Sequence, residues 1–308
     1  MKAKLGVIFG TSKTNLPWPE RKTMGNFHRT PFGETPELVT VLNIGSHDVV
    51  TINRHGDGHI FSPSSVNYRA IIWKMKELDV THLLSFSAVG SLKETIVPGK
   101  TIVVPIQIYD DTKSIRKHTF FEGANNVVAH VSLADPICPQ FANRISDALT
   151  KCDLKALGFN GFQHGGTYVV IEGPTFSTRA KSLFYKEILH ADLVGMTAWP
   201  EAPLAREARI HYAAVCFPAD YDSWRGGHAG VNADEVKAGL APFAPIPELI
   251  LPLIVKSLQN EPEKCHDCPA SLDGFAFHSD PNKLSWEIRK RYEPLLPGTT
   301  RAKRGKPE

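Results

Sequence analysis

Residues 191–224 read ADLVGMTAWPEAPLAREARIHYAAVCFPADYDSW, and the fold class turns on this stretch. Its two short apolar runs, Ala191–Gly195 and Tyr212–Phe217, are of the kind that form strands buried on both faces. Between them Trp199-Pro200-Glu201 opens a run of good helix formers reaching Ala208. A proline followed by an acid suits a first helical turn. Each apolar run ends in a polar cluster, Met196-Thr197 and then Asp220-Tyr221-Asp222. Ligands of α/β proteins gather at the carboxyl ends of buried strands, and two acids two residues apart beyond such a run serve packing poorly. The stretch predicts an α/β fold with a site at these strand ends.

Other runs repeat the pattern. Lys4–Phe9 is apolar and leads into Gly10-Thr11-Ser12, a small-residue turn whose N–H groups and hydroxyls suit a phosphate. Leu38–Ile44 and Asp48–Asn53 predict a hairpin around Gly45-Ser46-His47. It runs into Arg54-His55-Gly56-Asp57-Gly58-His59, where Arg54 and His55 offer two anion-binding donors. A helix is expected from Asn67 to Leu78. Thr81–Phe86 predicts a strand that ends in Ser87-Ala88-Val89-Gly90, and Thr101–Ile108 another, followed by a polar loop over Tyr109–Thr119. A helix from Gln140 to Lys151 and a strand over Gly166–Ile171 come next. That strand ends in Glu172-Gly173-Pro174-Thr175-Phe176, with Ser177 or Thr178 capping a helix to Ile188. Asn232 caps a helix over Ala233–Ala241, which the prolines at 242, 245, 247 and 252 then bend or break. The hydroxyls and the Arg-His pair suit an anion, and the aspartates suit a nitrogen-rich heterocycle. Neither a Walker motif nor a dinucleotide glycine fingerprint is present.

Composition limits the function classes. With 308 residues and 42% hydrophobic content the chain can bury a large core, and a net charge of +3 is too mild for a nucleic-acid binder. The basic tail Arg301–Lys306 reads as a solvated end. The N-terminus has too few apolar residues for a signal-peptide core. The apolar stretch Gly239–Leu258 carries four prolines and two charges, which speaks for a packed helical region rather than a membrane span. Of the five cysteines only Cys265 and Cys268 are paired in sequence. Zinc needs about four ligands and no second pair exists, so the reading is a plain or redox-labile tail in a cytoplasmic protein.

At these same residues the chain resembles the trimeric purine nucleoside phosphorylase superfamily, and within it the methylthioadenosine phosphorylases. The matching pieces are Gly10-Thr11, Thr30-Pro-Phe-Gly33, Arg54-His-Gly56 with His59, Pro63 through Asn67-Tyr68, and Ala88 with Gly90-Ser-Leu92. Glu172-Gly-Pro174 with Phe176-Ser177, Met196-Thr197 with Pro200-Glu201, and Asp220-Tyr-Asp222 with Trp224 continue the series, in the family's order from residue 4 to 258. The tail after Asn260 has no counterpart, so residues 1–260 are expected to form the phosphorylase domain and 261–308 a polar extension.

The resemblance implies a single α/β domain with a mixed central sheet flanked by helices. It also implies a homotrimer, alone or paired as a dimer of trimers, acting on small molecules with neither nucleic acid nor membrane as partner. The implied reaction is phosphorolysis of a nucleoside, with inorganic phosphate as co-substrate and with no cofactor or metal. By family position Thr11, Arg54, His55, Ser87 and Thr197 would hold phosphate, with Ala88 lending its backbone. Met196 would lie under the ribose and Phe176 against the base. Asp220 and Asp222 would face the purine edge and carry catalysis. His130 from a neighbouring subunit, Ala233 and Val236 would line the 5′ pocket. Relatives acting on 6-oxopurines usually carry Glu where Ser177 stands and Asn where Asp220 stands, so both positions follow the adenine pattern and S-methyl-5′-thioadenosine is the expected substrate. Alternatives are a 6-oxopurine or methylthioinosine phosphorylase and a nucleoside-binding homologue with impaired phosphate use. Phe9, Ser12, Ala219 and Trp199 depart from the family pattern.

Overall fold

In the computed structural model, residues 3–11, 16–22, 28–123, 126–225, 230–262 and 264–296 are described. Ser12 and the basic tail at 301–306 lie outside them. The strands are β1 (Leu5–Phe9), β2 (Glu20–Lys22), β3 (Arg29–Thr30), β4 (Gly33–Glu34), β5 (Thr40–Ile44), β6 (His47–Asn53), β7 (His82–Ser91), β8 (Thr101–Val104), β9 (Gln107–Asp111), β10 (Gly161–His164), β11 (Thr167–Ile171), β12 (Leu193–Gly195) and β13 (His211–Asp220). Around them lie α1 (Tyr68–Glu77), α2 (Pro139–Thr150), α3 (Arg179–Leu183), α4 (Ala198–Glu207), α5 (Ala233–Leu240), α6 (Ile246–Asn260) and α7 (Trp286–Tyr292).

One sheet of eleven strands runs β10-β8-β13-β7-β1-β6-β5-β2, with β12, β11 and β9 branching from β7. The strands β6, β1, β7 and β13 are mutually parallel, while β5, β8 and β12 pair antiparallel with this central group. The sheet is therefore mixed, as expected. Its central strands read as unbroken apolar runs because helices cover both faces: β1 is buried at every position, as is β13 up to Ala219. Since β1, β6, β7 and β13 are parallel, Gly10, Arg54, the far half of β7 and Asp220 come out on one edge.

Local chemistry accounts for the boundaries. The side chain of Asn67 accepts from Ala70 N and starts α1, Thr178 accepts from Lys181 N and starts α3, and Asn232 accepts from Glu235 N and starts α5. The predicted helix to Ile188 is present, but its second half, Phe184–Ile188, is wound as a π-helix. The expected strand over Thr101–Ile108 is two, β8 and β9, and β9 extends into the predicted loop. β10 gave no sequence signal, since three of its residues are only partly buried and His164 is exposed. The proline series does break the helix: a short 3-10 turn at Ala241–Phe243 separates α5 from α6.

The first-loop departure at Phe9 is absorbed by the core. Its ring is buried and stacks on Phe86, which stacks on Phe217, which stacks on Phe243, at centroid spacings of 5.4, 5.7 and 4.8 Å. The segment after 260, read as polar, is anchored by buried Leu272, Tyr292 and Leu295, the last two part of the main core. Sparse anchors in a polar composition hide this docking from periodicity. Tyr292 donates to Phe120 O at 3.0 Å and receives Asn126 Nδ2 at 2.9 Å.

Helix α5 sits directly on the end of β13. A Cβ at Gly239 would lie 2.0 Å from Ala219 O, whereas one at Gly230 would meet nothing within 4 Å. Gly239→Ala is expected to cost about 1–3 kcal/mol by overpacking, read as a lower thermal midpoint, with Gly230→Ala as the unchanged control.

Candidate active site

A cavity of about 650 Å³ opens along that edge of the sheet, within the usual range for a small-molecule pocket. Of the residues that the sequence singled out, Thr11, Arg54, His55, Ser87, Ala88, Phe176, Met196, Thr197, Asp220, Asp222, Ala233 and Val236 all line it. His130 does not: it is exposed, edge-on to His278 at 4.8 Å, with its backbone N–H on Ala276 O. Ala219 and Trp199 are also absent from the lining. Sequence reasoning passed over Lys237, one turn along α5 from Ala233, and the wall of Ile60, Phe61 and Ser62.

One end of the cavity is built on Arg54, which is fully buried. Its Nη1 donates to Glu201 Oε1 at 2.6 Å, and its Nη2 donates to Ser85 Oγ at 2.9 Å and Phe86 O at 2.5 Å. Tyr212 OH donates to the other Glu201 oxygen at 2.8 Å. Glu201, expected only as a helix-start acid, is thus the buried counter-ion of Arg54. Of the three guanidinium nitrogens only Nε has no protein partner; it is buried near Gly10, where an added Cβ would meet it at 3.5 Å. An orphaned cationic donor beside a small-residue turn is an anion site in waiting.

His55 differs from its sequence reading as a second anion-binding donor. Burial, with the Arg54 charge beside it, pulls its imidazole down to about 3, so it is neutral. Its Nδ1 lies 2.8 Å from Phe61 O, which fixes Nδ1–H as the donor and leaves Nε2 an acceptor. The ring stacks on His59 at 4.1 Å. Ser87 Oγ and Thr197 Oγ1, 3.1 Å apart, complete this end, with Tyr168 OH 3.0 Å from Ser87.

The other end holds the two aspartates. The β13–β7 register shifts between Pro218 and Asp220, which pairs Asp220 with Gly90; such a bulge re-aims a side chain. A Cβ at Gly90 would lie 2.9 Å from Asp220 Oδ1 and 3.1 Å from Asp222 Cβ, so glycine is needed to admit both acids. Burial raises the Asp220 carboxyl to about 7, with the Asp222 charge adding to it and the Asp222 N–H, 2.7 Å from Asp220 Oδ1, opposing it. Burial raises Asp222 too. Asp222 Oδ2 and Ser177 Oγ are buried without hydrogen-bond partners.

Arg116 ties the loops together and was missed because it sits in a stretch that reads as a polar loop. Buried, it donates through Nε to Glu172 Oε1 at 2.9 Å, through Nη1 to Trp199 O at 2.9 Å, and to the carbonyls of Met196 and Glu172. Met196 Sδ lies against Gly173, where a Cβ would stand 2.5 Å away.

Comparison with known proteins agrees with this arrangement. The profile of the phosphorylase superfamily matches residues 4–241. The chain belongs to the phosphorylase superfamily. It is 38% identical to the S-methyl-5′-thioadenosine phosphorylase of Geobacter sulfurreducens, over 87% of this chain and 89% of that one. It is 38% identical to the enzyme of the same name from Chloroflexus aurantiacus, over 95% and 97%, so the match runs past residue 260 and the tail, expected to have no counterpart, has one in this relative. Among solved structures it resembles a methylthioadenosine phosphorylase from an antarctic soil metagenomic library (TM-score 0.80, 35% identity, covering 96% of this chain and all of that one). It also resembles the Schistosoma mansoni methylthioadenosine phosphorylase in complex with adenine (TM-score 0.75, 32% identity, 85% and 93%). The superfamily match ends at 241, at the close of α5, so it covers every cavity residue named here.

Removing one member of a buried ion pair strands the other. Glu201→Ala is expected to lose about 3–5 kcal/mol in urea unfolding, and Tyr212→Phe a smaller part, about 1.5–3 kcal/mol.

Proposed function

We propose that this protein is an S-methyl-5′-thioadenosine phosphorylase, a pentosyltransferase that uses phosphate to split the nucleoside into adenine and 5-methylthioribose-1-phosphate. The observation that carries the reading is the pairing, across one cavity, of a carboxyl raised to about 7 with a buried arginine whose Nε–H has no protein partner. The names of the similar proteins point the same way.

In this mechanism phosphate occupies the Arg54 end, held by Arg54 Nε–H, the hydroxyls of Thr11, Ser87 and Thr197, and the backbone at Ala88. Neutral His55 accepts through Nε2, so it takes a hydrogen bond from a protonated phosphate oxygen or a sugar hydroxyl. The ribose lies over Met196 and the base beside Phe176. Phosphate attacks C1′ as the bond to the purine breaks, and negative charge develops on the leaving base. A proton delivered to N7 relieves it, help typically worth ~10²–10⁴-fold. Asp220 Oδ1 already accepts the Asp222 N–H, which leaves Oδ2 to carry that proton.

A protonated carboxyl presents one donor and one acceptor side by side. Adenine presents the complement, an acceptor at N7 and a donor at the 6-amino group, with Asp222 Oδ2 as a second acceptor. A 6-oxopurine presents two acceptors there and offers Asp222 no donor. Ala233 and Val236 on α5 make an apolar wall that suits a methylthio group over a hydroxyl. The exposed His130, outside this chain's cavity, supports its serving a neighbouring copy in a homotrimer. No step here calls on a metal or cofactor. A cytoplasmic location goes with this reading, and none of the five cysteines is in a disulfide.

Adenine release from methylthioadenosine, with and without phosphate and beside inosine, tests the function. Phosphate-dependent release with methylthioadenosine preferred is expected, and release from inosine alone would overturn the base reading. The acid role predicts that kcat/KM falls as pH rises through about 7, where Asp220 gives up its proton. Asp220→Asn should lower turnover on methylthioadenosine by ~10²–10⁴-fold. The same variant should stabilise the fold near neutral pH. With its folded pKa above the ordinary 3.8, Asp220 keeps a proton that the unfolded chain releases, so its contribution to stability falls between those two values.

A further inference from the structure

At the end of β13 opposite Asp220, the fold gathers four groups that the sequence scatters. Cys138 is the N-cap residue of α2, and His211 opens β13. The Cys138 N–H donates to Tyr212 O at 2.8 Å, which holds the start of α2 against the start of β13. The segment after α6 then brings Cys265 and Cys268 to the same point. All four side chains are buried, and their ligand atoms, three Sγ and one imidazole nitrogen, lie within 4.8 Å of one another. Cys138 Sγ is 3.4 Å from His211 Nδ1.

We propose that Cys138, His211, Cys265 and Cys268 form a structural zinc site that fastens the segment from 264 to 296 onto the core.

The donor set decides the metal. Three soft thiolates and one imidazole select zinc among common divalent ions, and four protein ligands leave no open coordination position, which marks a structural site and not a catalytic one. The spacing is right for a shared ion. Tetrahedral zinc with Zn–S near 2.3 Å and Zn–N near 2.0 Å separates sulfur from nitrogen by about 3.5 Å and sulfur from sulfur by about 3.8 Å. A small contraction from the observed cluster reaches both. Binding requires each thiol to release its proton to solvent, and three thiolates with one zinc ion leave a net charge of −1. Arg206, largely buried, lies within electrostatic range of Cys268 to offset it. The His211 ring is held face to face with His82 at 4.4 Å, which restricts its rotation and keeps Nδ1 on the cluster.

The architecture gives the site a purpose. Two ligands belong to the domain and two to the extension, so the ion would cross-link parts of the chain that otherwise meet through few anchors. Near the same junction Ser271 Oγ donates to Arg206 O at 2.6 Å and Arg209 pairs with Asp273 at 2.7 Å. Beyond it the segment bridges Ala129 through Phe277 and seats Tyr292 on Phe120.

The full chain, produced without a metal-binding tag in zinc-supplemented medium and purified under reducing conditions, provides the test. Elemental analysis should find about one zinc per chain. Cys268→Ser should drop that content at least several-fold, while Cys152→Ser, which alters a cysteine outside the cluster, should keep it. Chelation should lower the thermal midpoint of the wild type but not add to the loss in Cys268→Ser. Because Cys268→Ser can fail to fold, the wild type is also stripped and loaded with Co²⁺. Intense tetrahedral d–d bands with thiolate-to-cobalt charge transfer are expected at one equivalent. Protein that is free of zinc and takes up cobalt without that spectrum overturns the proposal. So does a disulfide among Cys138, Cys265 and Cys268 in the reduced preparation.

Discussion

The ion pair between Arg54 and Glu201 is the constraint on which the rest of the cavity depends. Both side chains are fully removed from water, and a buried charge costs several kcal/mol unless its partners are complete. Completing them recruits four elements: Arg54 leaves the end of β6, Glu201 stands on α4, Ser85 and Phe86 belong to β7, and Tyr212 to β13. A cluster this demanding has one workable geometry, so it fixes the relative placement of the central strands at the edge where the cavity opens. The Nε–H that it leaves without a partner lies beside Gly10 in the cavity lining.

The two ends of the cavity divide the electrostatics. At one end a permanent cation stands beside a histidine that its field and burial keep neutral. At the other, two carboxyls share a buried corner, and burial, with the Asp222 charge adding to it, raises Asp220 to about 7. Both perturbations follow from excluding water, so the enclosure that binds a ligand also tunes the groups around it. Arg116 does for the loops what Arg54 does for the strands, by satisfying carbonyls of Met196, Trp199 and Glu172 at once. A local sequence reading places it in a loop, since its partners lie 55 to 83 residues away.

Much of the site was legible in sequence because strand ends are local features. Met196-Thr197, Asp220-Tyr221-Asp222, Arg54-His55 and Ser87-Ala88 each follow an apolar run, and a parallel sheet aligns such ends wherever it forms. Helix caps at Asn67, Thr178 and Asn232 were legible for the same reason, as one side chain bonds a backbone N–H three residues on. Charge state was not legible. His55 reads as a donor by residue type, yet its surroundings make it an acceptor. Phe9 departs from the family pattern, yet its ring turns into an aromatic stack and leaves the turn to Gly10 and Thr11.

By itself the sequence determined the α/β class, the strand ends that carry polar residues, and the family to which they belong, because periodicity, capping and short motifs are all written within a few neighbouring residues. Only the tertiary structure decided which buried acid answers Arg54, which way Asp220 points, and where the docked segment after 260 attaches. It alone decided that Cys265 and Cys268, an unremarkable pair in a polar tail, meet Cys138 and His211. Those outcomes depend on contacts between residues tens to hundreds of positions apart, and burial, which sets both pKa and pairing, does not exist until the chain has folded.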